Sequence, residues 1–95
     1  MFLVKLIFKK PLDVVNEYLK SHRDFLEEGY QKDFFVVSGP INPRVGGVIV
    51  SQLKDKKTLQ DFLQNDPFWL NEIADYEYTE FEPVKFHKHF RTFVD

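Results

Sequence analysis

Apolar positions change their spacing several times along this chain, and each change marks an element. Phe2 to Phe8 is apolar at nearly every position, as in a central strand covered on both faces. Lys9 and Lys10 end that run, and Pro11 suits a first helical turn, where its missing N–H costs nothing. From Val14 to Leu26 the apolar residues Val14, Val15, Tyr18, Leu19, Phe25 and Leu26 recur at three- and four-residue spacing. That spacing predicts an amphipathic helix. Gly29 is the expected terminator, with room for the helix to run a residue or two past it.

Phe34 to Ser38 is rich in aromatic and β-branched residues and reads as a second strand. Gly39-Pro40 ends it, and Asn42-Pro43-Arg44 continues a loop. Gly46-Gly47 opens a third strand, Val48 to Leu53. Adjacent glycines at a strand start imply close backbone approach. Asp55 is a candidate N-cap for a second helix that buries Leu59, Phe62 and Leu63. Asp66-Pro67 stops it, since a residue before proline avoids the α region. Phe68 to Ile73 can add one helical turn. Asp75 to Phe81 is the last strand, and Pro83 limits pairing beyond it.

The order β-α-β-β-α-β predicts a ferredoxin-like α+β fold, an antiparallel four-stranded sheet with both helices on one face. The other face is then bare, and the first strand brings apolar residues to it. A second copy covering that face is the economical solution. A homodimer is therefore expected, with a higher homo-oligomer left open. We expect one domain over residues 1–86 and a C-terminal extension over 87–95.

Composition narrows the function. Eleven Phe, four Tyr and one Trp among 95 residues help a short chain build a core, and they also suit an interface. Lys and Arg number 13 against 15 Asp and Glu, a net charge of −2. No basic footprint for nucleic acid exists. No apolar run is long enough for a membrane span, and the apolar start is broken too early for a signal peptide. With no cysteine, disulfides, thiolate metal sites and a cysteine nucleophile are excluded. A cytoplasmic protein without nucleic-acid or membrane partners is expected.

Few residues are left to carry chemistry. His22 lies on the apolar stripe of the first helix, in phase with Val15, Tyr18, Phe25 and Leu26. It is either a core histidine with one satisfied hydrogen bond or a general acid or base. Asp66 is either a turn former or, because both helices cover one face, a residue able to approach the first helix. Ser38, Asn42 and Arg44 follow the second strand. An arginine beside Gly46 and Gly47 can bind a carboxylate or phosphate in bidentate fashion, or simply sit solvated on a tight loop. No phosphate-binding glycine motif occurs. His87 and His89 supply two metal ligands without a third, so no metal site is expected. Asp75, Glu80 and Glu82 read as solvated edge charges.

Together these pieces resemble a known pattern: His22-Arg23-x-Phe25-Leu26, Ser38-Gly39-Pro40, Asn42-Pro43-Arg44-x-Gly46-Gly47, Asp66-Pro67-Phe68, Tyr76 and Glu80-Phe81-x-Pro83. In this order they resemble the YciI-like family, over roughly residues 1–85. The resemblance implies a dimeric α+β-barrel type of fold with two sheets facing each other. It implies an active site built on His22 and Asp66, with the Ser38 to Gly47 loop lining the same pocket. A similar protein type acts on chlorinated hydroxyaromatic compounds. The resemblance thus implies a cofactor-free enzyme doing acid/base chemistry on a small polar or anionic, hydroxyaromatic molecule. The alternative is a non-catalytic module that only holds a small ligand. Two features depart from the family: Asp33 stands where glycine is frequent, and the tail from His87 to Asp95 runs past the usual end. Phe86, just before that stretch, and Phe90 and Phe93 within it can dock on a partner subunit.

Overall fold

The computed structural model describes residues 1–94; Asp95, the last residue of the expected extension, lies outside them. The strands are β1 (Phe2–Phe8), β2 (Phe35–Pro40), β3 (Gly46–Ser51) and β4 (Ala74–Glu80). The helices are α1 (Leu12–Gln31), α2 (Lys56–Leu63) and the single turn α3 (Pro67–Leu70). A short 3-10 helix, Lys88–Phe93, follows. All pairings are antiparallel, and the sheet order is β2-β3-β1-β4. This is the ferredoxin-like βαββαβ arrangement.

The core lies between sheet and helices. Phe2, Val4 and Leu6 of β1 pack there with Ile49 of β3, Val15, Phe25 and Leu26 of α1, and Leu59 and Leu63 of α2. The free face corrects one expectation. β1 alternates buried and exposed residues, and its outward set is Leu3, Lys5 and Ile7, with Lys5 directly opposite Glu77 of β4. The strand is therefore not apolar on both sides, because period-2 alternation puts the lysine outward. The apolar part of the free face, Leu3, Ile7, Val37, Val48 and Val50, lies toward the β2 side.

A bulge at Val36 shapes the cavity side. Phe35 pairs with Ser51 but Val37 with Val50, so one β2 residue is extra. In a regular strand Phe35, Val37 and Gly39 would share a face. The bulge resets the alternation, and Ser38 comes opposite Ile49 on the helix-covered face.

α1 runs to Gln31, two residues past Gly29 and within the margin expected of it. Phe34 N–H bonds to Gly29 C=O at 2.8 Å and Asp33 N–H to Tyr30 C=O at 3.0 Å, which is a Schellman closure. The left-handed residue it requires is Asp33, at φ 59°. Gly29 is small for another reason: a Cβ there would run into the Phe35 ring. At Gly46 a Cβ would meet the Leu6 carbonyl, so the expected close backbone approach is real at that glycine.

Candidate active site

Asp66 is where the fold concentrates buried polarity. It follows α2 and caps α3, accepting the Phe68 N–H at 2.9 Å on Oδ1. Its side chain is 0 % exposed. A carboxylate so placed is tolerable only if its oxygens are filled by donors. Two more donors arrive from other elements. His22 Nδ1, on α1, lies 2.8 Å from Oδ1 and 2.9 Å from Oδ2. Tyr76 Oη, on β4, donates to Oδ2 at 2.5 Å. Both readings of Asp66, turn former and partner of the first helix, hold at once.

The network assigns the histidine tautomer. The carboxylate accepts, so Nδ1 carries the proton and Nε2 presents its lone pair. The ring is fixed as well as polarised: it stacks on Phe68 with centroids 3.9 Å apart and planes 3° from parallel. Nε2 has no hydrogen bond among the described residues, yet no side-chain nitrogen or oxygen among them is both buried and unpartnered. Nε2 is therefore reachable from outside.

What it reaches is a cavity of about 300 Å³, which His22 lines together with Ser38, Gly46, Gly47, Arg44 and Arg23. Leu6, Phe8, Leu19, Leu26 and Phe68 supply apolar wall. Ser38 Oγ is 2.6 Å from Tyr30 Oη. Arg44 donates to Asn16 Oδ1 of α1 at 2.6 Å, which ties the β2–β3 loop to the helix. Of the ligand-binding candidates singled out by the sequence, Asn42 stays outside the cavity, exposed on the loop. Asp66 also does not line it, and acts on it through His22.

The tyrosines of β4 respond to the carboxylate. Burial, then the charge and hydrogen bond of Asp66, push the Tyr76 hydroxyl far above its ordinary value. Burial and the same charge push Tyr78 up to about 12. Tyr76 therefore stays a donor at any ordinary pH. Among the described residues no group of three or more His, Asp or Glu is placed to hold a metal ion, and no helix is long and apolar enough to cross a membrane.

Sequence reasoning missed Tyr76, Arg23 and Asn16 as site residues. A signal existed for each. Tyr76 and Tyr78 are the inward positions of β4, opposite Leu6 and Val4. Asn16 and Arg23 are seven residues apart, on one stripe of α1 beside His22.

No curated protein sequence matches this chain. A solved structure with a similar fold is 5-chloro-2-hydroxyhydroquinone dehydrochlorinase (TftG) from Burkholderia phenoliruptrix AC1100, in complex with 2,5-dihydroxybenzoquinone. The TM-score is 0.71 at 20% sequence identity, and the match covers 94% of this chain and 98% of that one. The family model of the YCII-related domain matches residues 1–82. The chain therefore belongs to the YCII-related, or YciI-like, family.

Proposed function

We propose that this protein is an enzyme using the His22–Asp66 pair for acid/base chemistry on a small hydroxyaromatic molecule, with no cofactor. The observation that carries this is the histidine itself. One ring nitrogen is held by a buried carboxylate, and the other opens onto a ligand-sized cavity. In the reaction a substrate hydroxyl gives its proton to Nε2, and the imidazolium is stabilised by Asp66. Arg44 meets the resulting oxyanion, and Nε2 returns the proton to the ring carbon that bears the leaving group. That carbon expels the group as an anion while a second ring hydroxyl gives its proton to solvent, a net loss of one proton and one anion. The structural neighbour, by its name, removes hydrogen chloride from a chlorinated hydroxyhydroquinone. Loss of a proton and an anion from such a ring is within reach of one base and one cation.

The test is turnover of a chlorinated hydroxyhydroquinone by wild type and His22→Asn, followed by absorbance and chloride release, with the unchlorinated compound as the control that has no anion to lose. Turnover that disappears in a folded His22→Asn supports the proposal. Tight binding by both proteins with turnover in neither replaces it with the non-catalytic binding module.

The working unit in this reading is a homodimer closed over the free sheet face. Leu3 is 38% and Val37 55% exposed there, and large exposed apolar areas are rare on monomers. Phe90 of the tail, with Phe86 just before it, lines a groove with Val37 and Val50, so the tail joins the same surface. Sedimentation at micromolar concentration decides: a dimer is expected, and Val37→Glu should dissociate it.

A further inference from the structure

The charge of the cavity runs against that of the chain. The protein has 15 acidic and 13 basic residues. Among the described residues, Arg23 and Arg44 stand around the cavity and no acidic side chain does. The two arginines come from different elements. Arg44 reaches in from the β2–β3 loop and is held by Asn16, a bond that uses one of its five N–H donors. Arg23 follows His22 on α1 and makes no hydrogen bond, ion pair or ring contact among the described residues. It shares a stripe with Leu19 and Leu26, which also line the cavity. Along that stripe it sits about 10 Å, two helical turns, from the residue that holds Arg44.

Two cations facing one space repel each other, and an anion between them turns that repulsion into attraction. Guanidinium groups rather than ammonium groups favour a planar, bidentate anion, which means a carboxylate more than a lone phenolate. The remaining wall is apolar, and about 300 Å³ is the small end of ligand pockets. That volume suits one ring rather than a nucleotide.

We infer that Arg23 and Arg44 form an anion clamp, and that the cavity takes a single aromatic ring bearing a carboxylate as well as a hydroxyl. The hydroxyl end rests on the acid/base reading of His22. The clamp stands on charge and placement alone.

Calorimetric titration of 2,5-dihydroxybenzoate and of hydroquinone, two rings differing by the carboxylate, tests it. Wild type should bind the acid about tenfold more tightly or better, the worth of one hydrogen bond to a charged group. Arg23→Gln should bring the two ligands within about twofold, and raised salt should do so in part. His22→Asn should keep the preference, since the clamp is intact. Equal affinities in wild type, an undiminished preference in Arg23→Gln, or binding of neither ligand overturns the clamp. Equal affinities together with His22-dependent turnover of hydroxyhydroquinones remove the clamp and leave the acid/base reading standing.

Discussion

Tyr76 Oη and Asp66 Oδ2 lie 2.5 Å apart, so the last strand of the sheet is bonded to the carboxylate that holds the histidine. Tyr76 does not line the cavity, and its effect on chemistry must pass through Asp66. Tyr76→Phe keeps the ring and removes the donor. We expect a loss of about 1.5–3 kcal/mol in urea unfolding, the worth of a hydrogen bond to a charged group. In an active enzyme kcat should fall with little change in KM.

Tyr76 and Tyr78, the inward tyrosines of β4, set an alkaline limit. Their hydroxyls are held above the ordinary value of 10.0, with Tyr78 at about 12. Above pH 10 the unfolded chain releases these protons while the folded one keeps them. The unfolded state then binds fewer protons, so stability falls as pH rises. Below pH 10 their contribution is flat. Urea midpoints at pH 8, 10 and 11.5 should drop at the last step. Tyr76→Phe should reduce that drop by about 1 kcal/mol per pH unit, close to the slope for one proton.

Both α1 and α3 end in Schellman closures on residues other than glycine. Asp33 sits at φ 59° and Glu72 at φ 54°, and after α3 Ile73 N–H bonds to Phe68 C=O at 2.9 Å. Left-handed backbone costs roughly 1–2 kcal/mol for an ordinary L-residue, and less for Asp. Glu72→Gly should therefore stabilise by about 1 kcal/mol, net of the extra freedom of glycine in the unfolded chain. Asp33→Gly should gain less. Thermal melts that fall for both would refute the assignment of these positions as strained.

Three glycines should rank by what a Cβ meets. A Cβ at Gly39 would have nothing within 4 Å among the described residues, at Gly29 the Phe35 ring is in the way, and at Gly46 the obstacle is the Leu6 backbone. A ring can shift, whereas a paired strand cannot without losing its ladder. Gly39→Ala should be near neutral. Gly29→Ala should lose roughly 1–2 kcal/mol, overpacking set against better helix propensity. Gly46→Ala should cost the most and should distort the cavity. Chemical denaturation of the three variants gives the order directly.

The fold could be read from the sequence because its elements differ in period. Three-four spacing in α1 and Pro, Gly and Asp at the breaks leave little choice of order. His22 was placed by helical phase, and Asp66 by its position after the second helix. What could not be read depends on tertiary distance or on a single irregular residue. The bulge at Val36 turns Ser38 inward, and no local pattern announces it. Gly29 looked like a helix stop because glycine is the usual left-handed residue, yet Asp33 takes that role and Gly29 makes room for Phe35. The Arg44–Asn16 and Asp66–Tyr76 bonds join elements whose approach is known only once the sheet has assembled.

The dyad itself gives the sharpest prediction. Asp66 accepts from His22, Tyr76 and the Phe68 N–H. Asp66→Asn keeps the shape but turns one accepting oxygen into a donating NH2. If that NH2 faces Nδ1, the imidazole must accept there and carry its proton on Nε2. The base would then point a proton, not a lone pair, into the cavity. We expect Asp66→Asn to fold with a loss of about 1–3 kcal/mol, to bind ligand, and to lose turnover by about 10²–10⁴, the usual worth of a general base. His22→Asn should lose a similar factor. Nitrogen chemical shifts of the ring report the tautomer: protonated Nδ1 in wild type, protonated Nε2 in Asp66→Asn. A purely structural pair behaves otherwise, with both variants destabilised and unchanged activity per folded molecule. An Asp66→Asn protein that keeps both its wild-type tautomer and its turnover would remove the carboxylate from the mechanism.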